Sequence, residues 1–310
     1  MPWRRRRANR VHDAIAPRFD ARARAGSTVT RTLALCADDF GLAPWISSAI
    51  ARLARDGRLT AISCLTNGPH WQHDCELLQG MPDAVDVGLH LNLTEGRPLS
   101  AKLARRWPQF PGLPRLLAQA HLGLLPTSEI RVEVHAQLAA FNRGRGLPPA
   151  FIDGHQHVHH LPGVRDMILD MVEHIQPLPA VRSTGRVQGP GYGVKRWLIE
   201  CTGGRALARE LARRVLAHNT TLLGAYDFVD PDYPGLMRRW LEALPAQGGL
   251  LFCHPADAPD GAPGSGPVDA IAAARLRERD YLGSDLFTRD LSRADVVLGR
   301  AWPPARSRRS

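Results

Sequence analysis

The stretch Leu33–Gly41, LALCADDFG, decides how the rest of the chain is read. Its apolar opening predicts a buried strand. Two adjacent carboxylates, Asp38 and Asp39, stand at the end of that strand, just before a glycine. Like charges side by side repel, so the pair implies a cation or a proton-transfer task. Taken alone, it fits a solvated turn or a helix cap equally well. Beyond Gly41, Pro44 suits a first helical position, Ile46, Ile50 and Leu53 recur at helical spacing, and Gly57 marks an end.

This strand–helix rhythm continues along the chain. Further strands are predicted at 60–67, 86–93, 150–160, 180–184, 220–226, 248–255 and 295–299. Helices are predicted near 71–78 and 127–141, from Pro162 onward, up to about Ala217, and near 268–281. Residues 96–126 are rich in Pro and Gly and read as a loop insertion over one end of the fold, and 185–204 reads as a Gly-rich loop. Repeating units of this kind predict an α/β protein with a parallel sheet and helical crossovers. About seven parallel strands in a chain of 310 residues favour a (β/α) barrel over an open sheet.

The composition, 44% hydrophobic and 23% charged, reads as globular, and no apolar run is long enough for a membrane span. The net charge of +10 suggests nucleic acid until it is located. Residues 1–31 hold nine Arg against Asp13 and Asp20, giving +7, and residues 301–310 add +3, so the body between is formally neutral. The expected organisation is a disordered basic tail at 1–30, one barrel domain at 31–300, and a second basic tail at 301–310. The N-terminal block lacks the apolar core of a secretion signal. The five cysteines form no CxxC pair, and three lie in apolar runs, which suits free thiols and a cytoplasmic location.

The chemistry clusters at the predicted strand ends. Asp38 and Asp39 end the first strand, His90 and Asn92 lie in the third, Asp153, His155, His157 and His159 end the fourth, and His254 ends a late one. Parallel α/β folds build their sites at the carboxyl ends of strands, so these residues are expected to meet. In an extended chain, Asp153, His155, His157 and His159 would share one face. One carboxylate with two imidazoles leaves positions open on a divalent ion, as catalysis requires. Both aspartates can point inward only if the backbone turns at Asp38–Asp39, and Gly41 eases such a turn.

Four stretches, CADDFGLA, VGLHLNLTEGRPL, FIDGHQHVHHLP and LFCHP, occur in an order that resembles the YdjC-like (ChbG) family of carbohydrate deacetylases. The resemblance covers about residues 32–300. It implies a distorted, polysaccharide-deacetylase-like (β/α) barrel that removes acetyl groups from N-acetylated sugars with one divalent ion. By this resemblance the ion is magnesium, held by Asp39, His90 and His155. The donor chemistry suits zinc, manganese or cobalt as well. Asp38 matches the catalytic base, His254 the acid that protonates the leaving amine, and Arg182 an arginine that orients the aspartates. Asp153, His157, His159 and Asn92 are expected to support the ligands or face the substrate. Two departures stand out, Ala256 in place of a glycine after the late His–Pro, and Gln156 where histidine is frequent.

The resulting expectation is a metal-dependent hydrolase acting on a chito-oligosaccharide or a glycolipid headgroup, an ion-activated water attacking the amide carbonyl. Its expected partners are the N-acetylated sugar and a second copy in a homodimer, without nucleic acid or a membrane span. Two other readings compete. One is a glycoside hydrolase using Asp38 and Asp153 as its carboxylate pair. The other is a non-enzymatic protein that binds nucleic acid through its basic tails.

Overall fold

Strands buried on both faces need near-continuous apolar sequence, and Leu33–Ala37 supplies it. The computed structural model describes residues 30–259 and 269–302. The tails expected at 1–30 and 301–310 fall almost wholly outside the described residues. In chain order the elements are β1 (Arg31–Phe40), α1 (Pro44–Arg55), β2 (Ala61–Cys64), α2 (Trp71–Asp74), β3 (Asp86–Leu91), α3 (Ala101–Arg106), α4 (Leu113–His121), α5 (Thr127–Arg145), β4 (Phe151–Gly154) and α6 (Val164–Val172). They continue as β5 (Ala180–Val181), α7 (Gly193–Ile199), α8 (Arg205–Arg213), β6 (Leu222–Leu223), α9 (Tyr233–Ala243), β7 (Gly249–Cys253), α10 (Ala272–Leu282), α11 (Asp285–Arg293) and β8 (Val296–Leu298).

Seven strands form one curled parallel sheet in the order β5-β4-β3-β2-β1-β7-β6, and β8 adds to the start of β1. The distorted α/β barrel is therefore present. Its edges, β5 and β6, meet without a full ladder. Val181 N–H donates to Ala217 O at 2.9 Å, Ser183 N–H donates to the Asn219 side chain at 2.7 Å, and Val187 bridges Leu222.

The period-2 alternation of β1 sorts its side chains. Leu33, Leu35 and Ala37 join the large core shared with the helices, whereas Ala34 and Cys36 lie in a smaller core with Phe151, Leu250 and Phe252. Asp38 continues the Ala34–Cys36 face. Asp39 would point the other way, but the β1–β2 register shifts between Ala37 and Phe40, and Asp39 has φ +72°. This bulge turns the second carboxylate into the site. Left-handed backbone at a non-glycine residue is strained, and such strain concentrates at functional positions. Gly41 follows with φ +92°, and a Cβ there would lie 2.7 Å from Leu65 O. Gly41→Ala is expected to destabilise the fold by more than about 1 kcal/mol, read as a lower midpoint in urea.

Several segments differ from the sequence reading. Residues 96–126 contain α3 and α4 rather than an unbroken loop. The Ser100 side chain caps α3 by accepting from Leu103 N–H, and Leu103, Leu116 and Ala120 are buried. The 185–204 loop contains α7 and a wide π turn over Glu200–Gly204, where a Cβ on Gly203 would collide with His160 O. Helix α9 has no counterpart in the sequence reading, although Pro234 and Gly235 near its start suit a helix N-terminus. Pro sits in the first turn, where no N–H is needed, and Asp232 caps Gly235 N–H at 2.8 Å. Helix α11 also lacked a sequence assignment. The fourth strand stops at Gly154, and His155–His160 form a 3₁₀ segment with Gln156 and His157 at positive φ. The single face expected for Asp153, His155, His157 and His159 is therefore not formed.

Candidate metal centre and proton-transfer site

Parallel strands deliver their carboxyl ends to one side, and there β1, β3, the turn after β4 and the segment after β7 line one cavity of about 610 Å³. Asp38, Asp39, His90, His155 and His254 all contribute to its wall. Donor atoms of Asp39, His90 and His155 lie within 4.8 Å of one another, and all three residues are buried. His155 Nδ1 is 2.9 Å and His90 Nε2 is 3.6 Å from Asp39 Oδ1.

The environment of His90 indicates what fits between them. Its Nδ1 is 2.6 Å from Asp153 Oδ1, which also accepts from Ser63 Oγ at 2.5 Å. A carboxylate in that position accepts a hydrogen bond from Nδ1–H and so keeps the proton there, leaving the lone pair on Nε2. That lone pair faces an Asp39 oxygen at 3.6 Å. Two acceptors face each other only when a proton or a cation lies between them. One carboxylate and two imidazoles in a buried site therefore fit a divalent ion. Burial opposes charge on His155, but the Asp39 and Glu95 carboxylates outweigh it and raise its pKa to about 10. Burial likewise opposes ionisation of Asp39, and Arg275 and His155 overcome it, holding Asp39 well below the usual carboxylate range.

Arg182 organises the neighbouring carboxylates. It is fully buried and grips Asp38 with both terminal nitrogens, at 2.7 and 2.6 Å, while Nη2 reaches Asp153 Oδ2 at 2.6 Å. Cys36, Asp38 and Asp153 also lie close enough to one another to suggest an ion site, but this guanidinium already supplies the positive charge there. Asp153 is fully buried and bonded to His90, Ser63 and Arg182, and it does not line the cavity. It cannot flank a scissile glycosidic bond opposite Asp38, which disfavours the glycosidase reading.

The other expected residues have distinct settings. Asn92 does not line the cavity; its Oδ1 accepts from Thr94 and Glu95 N–H at 2.9 and 3.0 Å, shaping the turn that brings Glu95 to His155. His157 lines the cavity with its ring 5.4 Å from that of Phe252. His159 is buried, and its Nε2 lies 2.9 Å from Arg182 O. His254 packs against the rings of Phe228 and Phe252 at 5.2 and 5.6 Å. Burial lowers its pKa to about 4, despite the opposing pull of Asp39 and Asp38.

Helix α10 supplies residues that the sequence reading missed. Arg275 donates to Asp39 Oδ2 and Asp269 Oδ2, both at 2.7 Å, and reaches His254 O at 3.5 Å. Glu278 accepts from His254 N–H and from the Tyr226 hydroxyl. One helix face thus holds both ends of the His254 main chain. The signal was present in sequence: Ile271, Arg275, Glu278 and Leu282 follow a core spacing, with charges at two core positions. Burial raises the Glu278 pKa to about 7. A raised carboxyl pKa destabilises the folded state as pH rises from the unfolded value through 7. Glu278→Gln is expected to raise the melting temperature relative to the parent at pH 8, with the advantage gone at pH 4, measured by thermal unfolding at both pH values.

A curled parallel α/β sheet with a buried carboxylate–imidazole cluster at its carboxyl end defines a class of proteins with a candidate metal centre. The chain belongs to the family described as YdjC-like protein, whose model matches residues 32–293. A carbohydrate deacetylase of Mus musculus is 30% identical over 293 residues, covering 86% of this chain and 92% of that protein. A chitooligosaccharide deacetylase of Klebsiella pneumoniae is 30% identical over 264 residues, covering 82% and 91%. Among solved structures, a candidate cellobiose-phosphate cleavage protein of Enterococcus faecalis superposes with a TM-score of 0.64 at 19% identity, over 88% of this chain and 98% of that one. This supports the fold. Among the described residues, no helix is long and apolar enough to cross a membrane.

Proposed function

We propose that the protein is a divalent-metal-dependent deacetylase of an N-acetylated sugar. The observation that carries this reading is the acceptor pair His90 Nε2 and Asp39 Oδ1, with His155 beside it, in the same cavity as Asp38 and His254. The two relatives named deacetylases, each aligned over most of its length, support the substrate class. Asp39, His90 and His155 hold the ion; magnesium is the family expectation, and two imidazole ligands favour zinc. When bound, the ion lowers the pKa of a water and stabilises charge on the amide oxygen.

The chain's own groups manage the protons. Asp38, oriented by the paired hydrogen bonds of Arg182, accepts the proton of the attacking water. His254 rests neutral at pH 7, since its pKa is near 4. It becomes an acid by receiving from Asp38 the proton taken from water, and it passes that proton to the leaving nitrogen, which returns both side chains to their starting states. Arg275 and Glu278 fix where that imidazole stands. His254→Ala is expected to lower turnover by about 10²–10⁴ while metal content stays at the parental level. Unchanged turnover would remove His254 from the reaction.

The test of the whole reading is acetate release from N-acetylated sugars after chelation, with magnesium, manganese, cobalt or zinc added back one at a time. Activity lost on chelation and restored by one of these ions supports it. Hydrolysis that survives complete metal removal refutes it.

A further inference from the structure

The turn Asn92–Gly96, NLTEG, is tied down more tightly than a surface loop requires. Asn92 is 2% exposed and uses its whole side chain there. Its Oδ1 accepts from Thr94 and Glu95 N–H, and its Nδ2 donates to Glu95 O at 2.8 Å and to Asn67 Oδ1 at 3.1 Å. The main chain of Asn92 is held in turn by Gln137 of α5, which is fully buried. Gln137 Oε1 accepts from Asn92 N–H at 3.0 Å, and its Nε2 donates to Asn92 O at 2.8 Å. Both the N–H and the carbonyl of Glu95 are thereby fixed. A buried polar network costs free energy unless its members are paired. What this one places in the cavity wall, of all the residues in the turn, is Glu95.

Glu95 Oε1 lies 3.2 Å from His155 Nε2 as an ion pair, and among the described residues no aligned hydrogen bond reaches that buried nitrogen. An imidazole that ligates an ion keeps one proton. A bare lone pair on Nε2 would face the Glu95 carboxylate and be repelled, whereas an N–H is attracted to it. The proton therefore belongs on Nε2, and Nδ1, 2.9 Å from Asp39 Oδ1, keeps its lone pair for the ion. From this we infer that Glu95 is a positioning residue of the ion site: it keeps the one proton of His155 on Nε2 and so makes Nδ1 the ligand atom, while His90 ligates through Nε2. The inference rests on the proposed ion site and gives the NLTEG turn its task. The two imidazoles then have unlike supports. Asp153, behind His90, is fully buried and bonded to Ser63 and Arg182, whereas the Glu95 side chain is 44% exposed and depends on its main chain for its place. Fixing that main chain before the ion arrives removes an ordering cost from binding.

The experiment measures zinc binding to the full chain by competition with a chromogenic chelator, in the parent, Glu95→Ala, Glu95→Gln and Arg97→Ala. Glu95→Ala is expected to raise the zinc Kd about 10–100-fold, the usual cost of losing the group behind a ligating histidine. Glu95→Gln keeps an acceptor oxygen and should fall between the parent and Glu95→Ala. Arg97→Ala, in the same loop but outside the cavity wall, should match the parent. Urea midpoints of the ion-free proteins are expected to be equal. As a second readout, cadmium NMR of the protein with nitrogen-labelled histidine is expected to couple the ion to Nδ1 of His155 and to Nε2 of His90. A parental Kd in Glu95→Ala, an ion-free midpoint that falls together with affinity, or cadmium coupled to Nε2 of His155 overturns the inference and leaves the ion site standing. A parent chain that binds neither zinc nor cadmium overturns the ion site and this inference with it.

Discussion

Asp38→Asn is expected to keep its divalent ion and to lose about 10²–10⁴ in acetate release, the usual share of a general base. The amide oxygen can still accept from Arg182, so the local geometry survives, but the side chain cannot take a proton from water. Asp39→Asn is expected to behave differently and lose the ion. Asp39 presents Oδ1 to both His90 and His155, and Arg275 binds its other oxygen. Replacing its charge with an amide removes the only carboxylate of the three-residue donor set. Metal analysis of the two purified variants beside their acetate-release rates separates the roles. Equal metal loss in both would show that the roles of the two aspartates have been misassigned.

The largest effect on stability is expected from Arg182→Leu. The guanidinium is fully buried and faces two buried carboxylates, Asp38 and Asp153, at 2.6 Å each. Burial favours the neutral form of Asp153, and the charge of Arg182 with the hydrogen bonds from His90 and Ser63 outweighs it, so its pKa lies below the usual carboxylate range. With the arginine gone, two carboxylates share an apolar site with no countercharge. Breaking a buried pair of this kind costs about 3–5 kcal/mol. The loss should be greatest at neutral pH and shrink in acid, where the stranded carboxyl groups take up protons. Urea unfolding at pH 7 and pH 4 checks both parts. Parental stability at pH 7 would mean that Arg182 does not neutralise this site. Arg182→Lys should fall between, since an ammonium restores the charge but not the paired hydrogen bonds to Asp38.

The parts of the site that sequence revealed were those attached to strand ends. Asp38, Asp39, His90 and His155 each follow an apolar run whose direction is common to all parallel strands, so their convergence could be anticipated. The residues that escaped notice come from a helix. The segment AAARLRERDYL is rich in charge, and only the core spacing of Arg275 and Glu278 marks them; Arg275 is 3% exposed and Glu278 is fully buried. One partner, Asp39, is 236 residues away and the other, the His254 main chain, belongs to a different element, so the spacing does not say what the charges meet. Ser63 is similar: it looks like an ordinary strand serine until β2 is seen beside β3, with Asp153 of β4 reached from one strand further on. The histidine run misled in the other direction. Alternation suggested one shared face, but the chain coils after Gly154, so His159 supports Arg182 O while His157 lines the cavity.

By itself, then, the sequence determined the α/β class, the parallel strands, and which strand ends carry carboxylates and imidazoles. It could do so because burial writes apolar runs and turn chemistry directly into local composition. Only the tertiary structure decided how the two adjacent aspartates divide. The register shift in β1 and the positive φ of Asp39 turn one carboxylate toward His90 and His155, while Arg182 holds the other. It alone decided as well that α10 braces His254 and that Leu42, Leu113 and Leu117 share one cavity with the carboxylates and imidazoles. The division of the two aspartates depends on contacts between segments more than 100 residues apart, Arg275 with Asp39 and Arg182 with Asp38. Such contacts exist only once the sheet has curled and brought its strand ends to a common side.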